Sequence, residues 1–301
     1  MIVITGPTAS GKTARAVHLA RAIGGEIVSA DSRQVYRSMD IGSGKDLDEY
    51  GEVPYHMIDV APAGEVFNLF RYLDEARAAI ASIESRGKTP IVCGGSGMYV
   101  EALARGTILP RVPRNDDLRQ RLDPLPLDEL RSILASMKTL HNTSDTDTRA
   151  RAIRAIEIQT YYRDHPEADP GRPSGPLVRP LIIGVDIDRN TRRERISRRL
   201  DQRLAAGMVD EVRALIDSGV DPDILIGYGL EYRFITRHLL GALSAAEMRR
   251  QLETAIHQFA KRQMTWLRGM ERRGLPICWI SASLPPREFT DSIISLMAAR
   301  Q

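Results

Sequence analysis

Cysteine is scarce in this sequence: Cys93 and Cys278 are the only two in 301 residues. Both sit in apolar runs, so a disulfide framework is excluded and they read as small buried hydrophobes of a reducing compartment. Neither lies near a histidine, and His141, His165 and His257 are too far apart in sequence to form a local site, which removes finger-type structural zinc. No apolar run approaches the roughly 18 residues of a membrane-spanning helix. The chain enters an apolar run at Ile2 without a basic and then apolar leader, so a cytosolic protein with no membrane partner is expected. Net charge is also nearly missing, since 42 Lys+Arg stand against 39 Asp+Glu to leave +3. The overall balance therefore does not announce a nucleic-acid binder.

What charge there is, is unevenly spread. Arg149, Arg151, Arg154 and Arg163 lie close together, and seven arginines fall between 189 and 203, while acidic residues gather at 40–52 and 217–223. Such clustering allows a basic strip on a nearly neutral protein, or a solvated helix face neutralised by Glu157, Glu194 and Asp201. Apolar runs at 2–5, 26–30, 55–60, 90–93 and 181–187 read as short buried strands, mostly separated by helical patterns. Alternation of this kind predicts an α/β fold, a doubly wound parallel sheet with its ligand at the carboxyl ends of the strands. From 107 onward the pattern changes. Helical segments at 116–122, 127–138 and 146–164 are punctuated by Pro110, Pro113, Pro124, Pro126, Pro166, Pro170, Pro173 and Pro176. This predicts a small helical insertion at 110–176 within a core of 1–109 and 177–301. Helices are expected again at 190–218, broken near Gly207, and at 244–273, with Trp266 and Leu267 on the apolar side.

The polar motifs follow the strands. After the first comes Gly6-Pro7-Thr8-Ala9-Ser10-Gly11-Lys12-Thr13, the pattern of a phosphate-binding P-loop. Glycines there free backbone N–H groups to surround phosphate, and the following helix points its positive end at it. Lys12 adds a point charge, and the Thr13 hydroxyl suits Mg²⁺ held on phosphate oxygens. After the second strand stands Asp31-Ser32-Arg33-Gln34. A carboxylate there can hold metal, take a proton from an attacking group, or simply cap the next turn. The amide of Gln34 suits a purine edge. After the fourth strand, Gly94-Gly95-Ser96-Gly97 allows close approach of backbone to ligand and offers one hydroxyl.

These segments resemble the tRNA dimethylallyltransferases, also called tRNA isopentenyltransferases. The resemblance is carried by GPTASGKT at 6–13, DSRQVYRSMDIGS at 31–43, HMIDV at 56–60 and GGSGMY at 94–99. It continues through RAIRAIEI at 151–158, RISRR at 195–199, GMVDEV at 207–212, IGY at 226–228 and AKRQMTWLR at 260–268. It implies a P-loop NTPase-like core that transfers a dimethylallyl group from dimethylallyl diphosphate to N6 of the adenosine 3′ of the anticodon, tRNA position 37. Asp31 matches the general base, and the segment Asp31, Ser32, Arg33, Gln34 is expected to hold the target base. Gly6, Thr8, Ala9, Ser10, Gly11, Lys12 and Thr13 would cradle the diphosphate, with Mg²⁺ at Thr13. Ser96 stands where the family usually has threonine, touching the bridging oxygen of the leaving group. Arg195 and Arg199 match arginines that neutralise the diphosphate, and Arg119, Arg151 and Arg154 match positions on the tRNA anticodon stem-loop. A monomer is implied.

Two segments depart from the family pattern. The usual Thr-Ala-Lys-Pro is Ser43-Gly44-Lys45-Asp46, and the usual Thr-Arg-Gln is Ile256-His257-Gln258. Three other readings use part of the same features: a P-loop small-molecule kinase, an adenylate isopentenyltransferase acting on free nucleotide, and a non-catalytic tRNA-binding protein. Nothing beyond the P-loop points at the γ-phosphate transfer that the first requires, the second leaves the insertion and the basic segments idle, and the third fails to use Asp31 and the P-loop together.

Overall fold

The computed structural model describes residues 1–109, 111–140, 146–168 and 180–300. Pro110, His141, Pro170, Pro173, Pro176 and residue 177, which include the expected bounds of the insertion, lie outside the described residues. The chain divides into two compact units, Met1–Gly106 with Leu177–Gln301, and Thr107–Pro176.

In the larger unit, chain order runs β1 (Ile2–Thr5), α1 (Lys12–Ile23), β2 (Glu26–Ser29), β3 (Tyr55–His56), α2 (Leu69–Ser85), β4 (Pro90–Gly94) and α3 (Gly97–Ala104). The smaller unit holds α4 (Asp116–Leu122), α5 (Leu127–Met137) and α6 (Arg149–Asp164). The larger unit resumes with β5 (Leu181–Asp186), α7 (Arg189–Ala205), α8 (Met208–Asp217), α9 (Pro222–Gly227), α10 (Leu230–Leu239), α11 (Ala245–Arg272), β6 (Cys278–Ser281) and α12 (Pro286–Ala298).

The sheet is wholly parallel in the order β3-β2-β4-β1-β5-β6. Its centre is fixed by β-branched runs buried on both faces, as parallel strands covered by helices require. Ile2 pairs with Ile91 on one side and Leu181 on the other, and Thr5 with Gly94, so β1 and β4 end level while β5 continues to Asp186. Thr5 Oγ1 donates to Gly94 O at 2.9 Å and locks that level edge. Ile4, Leu19, Ile27, Ile91, Ile183 and Phe289 belong to the core packed on one face. The expected α/β class is what the chain adopts, with two differences in detail. Strand β3 is only two residues long because Met57 and Asp59 take left-handed φ values of 65° and 56°, which end the ladder. A sixth strand, β6, extends the sheet beyond β5. Gly207, at φ 97°, separates α7 from α8 at the expected break.

The smaller unit has its own core, in which Leu130, Leu134, Ala152 and Ile156 are buried. Helices α4 and α6 begin with side-chain caps: Asn115 accepts from Leu118 N, and Thr148 accepts from Arg151 N. No helix among the described residues is long and apolar enough to cross a membrane.

Candidate active site

The 6–13 loop leaves β1 at the level edge and feeds α1. Ala9 and Gly11 adopt left-handed φ of 61° and 79°, and α1 starts at Lys12 with no side-chain cap. Its first-turn N–H groups therefore face outward without a side-chain acceptor, the arrangement that favours an anion. Ser10 Oγ is buried in the loop without a hydrogen-bond partner among the described residues. From the opposite side, Gln263 of α11 accepts from Thr8 N at 2.8 Å and donates to Gly95 O at 2.9 Å. One amide thus ties the 6–13 loop to the loop after β4. Thr8 N is committed to that tie.

Asp31, Ser32 and Ser96 meet at the ends of β2 and β4. Gly94 permits this: a Cβ there would overlap the backbone of Ala30, whose carbonyl accepts from Ser96 N at 3.2 Å. Ser96 Oγ accepts from Ser32 N at 2.9 Å and lies 3.3 Å from Ser32 Oγ. Asp31 Oδ1 accepts from Arg33 N at 2.9 Å, closing a turn rather than capping a helix, since none follows. Its carboxylate makes no other hydrogen bond among the described residues. Gln34 differs from expectation. It is buried, its Oε1 accepting from Ser29 Oγ at 2.8 Å and its Nε2 donating to Gly44 O at 2.9 Å. An amide so committed holds the 31–44 segment together instead of presenting a free edge to a purine. Arg33 lies against Gly229 at the start of α10.

A cleft of about 670 Å³ opens beside the loop. Ala9, Gly11, Lys12 and Thr13 line one wall, Arg195, Arg199 and Arg203 another, and Asp46 the rim. The four-residue spacing of Arg195, Arg199 and Arg203 puts all three on one face of α7. Burial pulls the Lys12 ammonium below the usual lysine range, and Arg199 and Arg203 push the same way against Cys93 and Asp31. The Lys12 charge thus senses both clusters, Asp31 on one side and the arginines on the other. Arg199 Nη2 donates to Asp46 Oδ2 at 2.5 Å, and Arg203 Nη2 lies 3.5 Å from the same oxygen. A divalent ion fits here only with the substrate's help. Among the described residues no group of three His, Cys, Asp or Glu could hold one, so Thr13 would supply a hydroxyl and phosphate oxygens the rest.

The 40–46 segment behind this rim is stapled twice. Glu211 of α8 accepts from Asp40 N at 2.7 Å, Ile41 N at 2.6 Å and Gly42 N at 3.0 Å, and from Tyr232 Oη at 2.8 Å. Lys45, 1% exposed, is paired with Asp40 and Asp59. Gln263, Glu211 and Arg203 were not singled out in the sequence, although the first two fall within AKRQMTWLR and GMVDEV and the third within the arginine run. His257 does not reach the cleft. It faces a separate groove with Arg193, Ser197 and Arg250, where burial and then Arg193 hold its imidazolium below the usual histidine range. Trp266 also differs from expectation. Leu267 is buried on α11, whereas Trp266 is 39% exposed, over Gly97 and beneath the Arg273 guanidinium.

The remaining predicted arginines belong to the smaller unit. Arg119 clasps buried Glu157 with two 2.9 Å bonds, and Arg154 pairs with the same carboxylate while donating to Val112 O at 3.0 Å. Burial alone would raise the Glu157 carboxyl, but donors from Arg119, Asn115 N and Arg154 outweigh it and hold it down to about 2. Arg151 is more open, bonded to Asp147 at 2.5 Å.

The chain matches the family model described as IPP transferase over residues 34–270, and that described as isopentenyl transferase over residues 1–53. It is 54% identical over 293 residues to tRNA dimethylallyltransferase 1 of Parabacteroides distasonis, covering 96% of this chain and 94% of that one. To tRNA dimethylallyltransferase 1 of Porphyromonas gingivalis it is 53% identical over 303 residues, 99% of each chain. Its structure is similar to the crystal structure of tRNA delta(2)-isopentenylpyrophosphate transferase from Staphylococcus epidermidis, with TM-score 0.71, 29% identity and coverage of 100% and 99%.

Proposed function

Because the chain belongs to the tRNA dimethylallyltransferases, the IPP transferase family, we propose from its own geometry how each part of the site serves that reaction. The protein modifies tRNA by dimethylallyl transfer, moving the group from dimethylallyl diphosphate to N6 of the adenosine at position 37, on the 3′ side of the anticodon, and releasing diphosphate. The observation that carries the residue-level reading is one cleft on which an uncapped helix start, Lys12, Thr13, Arg195 and Arg199 all converge.

The diphosphate lies in the 6–13 loop. Gly6, Ala9, Ser10 and Gly11 form the cradle, Ser10 Oγ supplying the buried hydroxyl that has no partner among the described residues. As the allylic C1–O bond breaks, its electron pair goes to the diphosphate, and Lys12, Arg195 and Arg199 stabilise the charge that develops there. Mg²⁺ bound at Thr13 would neutralise the same oxygens. The N6 lone pair forms the new C–N bond, and the surplus N6 proton passes to Asp31, whose carboxylate is engaged, among the described residues, only by Arg33 N. Ser96, held by Ser32, sets the distance between the two ends of the reaction. Ser32 and Arg33 flank the flipped base, a pose that unstacking in the anticodon loop makes accessible. Arg151, with Arg119 and Arg154 behind it, faces the stem-loop phosphates. The enzyme acts as a cytoplasmic monomer.

Mass analysis of nucleosides from tRNA incubated with purified protein, dimethylallyl diphosphate and Mg²⁺ tests donor, acceptor and position together. N6-dimethylallyladenosine at position 37 is expected, with little product from AMP. Product from AMP but not from an anticodon stem-loop, or ATP turnover without prenylated product, would overturn the reading.

A further inference from the structure

We propose that Arg203 is a further binding residue for the leaving diphosphate, and that Asp46 occupies the Arg199–Arg203 pair as an internal counter-anion until the diphosphate displaces it. The inference rests on the assignment of the 6–13 loop to the diphosphate.

Three observations carry it. Arg203 is 15% exposed, yet it lines the cleft beside Lys12 and Arg199. Its Nη2 is buried without a hydrogen bond; Asp46, its ion-pair partner among the described residues, lies at 3.5 Å, too far for one, and Glu231 adds only a weaker attraction. A buried, charged donor left in that state is costly unless a better acceptor arrives. Burial and the neighbouring Arg199 both disfavour its charge and outweigh the attraction of Asp46 and Glu231, so the guanidinium is poised for a further anion.

Asp46 has the geometry of a stand-in for phosphate. It approaches both guanidinium groups with one oxygen, at 2.5 Å and 3.5 Å. Its backbone sits at φ 46°, a left-handed conformation that aspartate, like asparagine, adopts more readily than most residues, on a segment anchored by buried Lys45 and by Glu211. The approach of the arginines also explains Gly44: any Cβ there would overlap the Arg203 guanidinium and come within 2.6 Å of Arg199 Nη2. The segment is therefore shaped to bring a carboxylate to the arginines. Asp46 is itself 41% exposed, so its side chain can rotate into water without moving that anchor. A diphosphate offers several oxygens in place of one and can satisfy both guanidinium groups at once.

Isothermal titration of inorganic pyrophosphate with Mg²⁺ into the full chain tests this, with thermal melts confirming folding. Arg203→Met, which fills the buried space, should weaken binding about tenfold, and Arg203→Lys by less. Asp46→Asn tolerates the left-handed backbone and removes the competing charge, so it should tighten binding about threefold or more. A purely structural Arg203 would not make loss of its partner improve pyrophosphate binding. Wild-type affinity in both Arg203 variants, or no tightening in Asp46→Asn, would overturn the proposal. If Arg203→Met fails to fold, Arg203→Lys and Asp46→Asn decide. Lys12→Ala separates the two levels. Should it bind pyrophosphate as well as wild type, the loop assignment falls; should it weaken binding while the Arg203 variants do not, only this inference falls.

Discussion

Asp31 combines two jobs that can be pulled apart. Its Oδ1 closes the turn through Arg33 N, and in the proposed mechanism the same carboxylate is the proton acceptor. Asparagine keeps an oxygen for the turn but cannot take a proton, so Asp31→Asn should preserve tRNA affinity and lower single-turnover prenylation by about 10²–10⁴-fold. Rapid-quench measurement of the chemical step would show this, and a near wild-type rate would remove Asp31 from the base role. Lys12 makes a second prediction through its charge. Burial holds its ammonium below the usual lysine range, and the diphosphate prefers the charged form. Affinity for pyrophosphate should therefore fall as pH rises, and the fall should begin at lower pH than for an exposed lysine. Titration of pyrophosphate across the alkaline range would display it, and Lys12→Met should remove both the affinity and its pH dependence.

At the scale of elements, Glu157 joins α4 to α6 through Arg119, Asn115 N and Arg154. Its folded-state pKa of about 2 lies below the ordinary 4.5. The stabilisation is therefore complete above that ordinary value and is lost as pH falls from there through about 2. Its size is on the order of 3 kcal/mol. Glu157→Gln leaves two arginines without their counter-ion, and hydrogen exchange in α4 and α6 should accelerate about a hundredfold while β1 and β4 stay protected. Unchanged exchange would mean that the apolar contacts around Leu130 and Ile156 hold the helices unaided. Elements such as α4 were legible in advance because proline punctuation at Pro113 and Pro124 marks their ends. Strand β6 was not, since CWIS is four residues long and too short to distinguish from a buried loop. The overlong β3 arose because apolar character at Met57 and Ile58 says nothing of φ. In the site, local pattern exposed Lys12, Asp31 and Ser96 because each follows a strand. Gln263 and Glu211 act across 168 or more residues of sequence, a reach that spacing cannot reveal.

For the whole molecule, a net charge of +3 conceals a division of labour. Arginines on α7 face a cleft suited to diphosphate, whereas Arg151 on α6 is 62% exposed and paired with Asp147. In the proposed assignment both sets bind phosphate, but one meets a small donor and the other a polyanion with a condensed counterion atmosphere. Only the second should show a steep linear fall of log affinity with log salt. Removing one phosphate contact should lower that slope by about one, so Arg151→Ala is expected to weaken binding of an anticodon stem-loop and flatten its salt dependence. The Michaelis constant for dimethylallyl diphosphate should stay unchanged. Arg199→Ala should do the reverse, raising the donor's Michaelis constant while leaving the stem-loop slope intact. Fluorescence titration of a labelled stem-loop between about 50 and 200 mM salt, paired with donor kinetics at saturating tRNA, measures both. If the two variants moved the same parameter, the separation of donor and tRNA charges would be wrong. A single continuous basic surface would then have to serve both substrates.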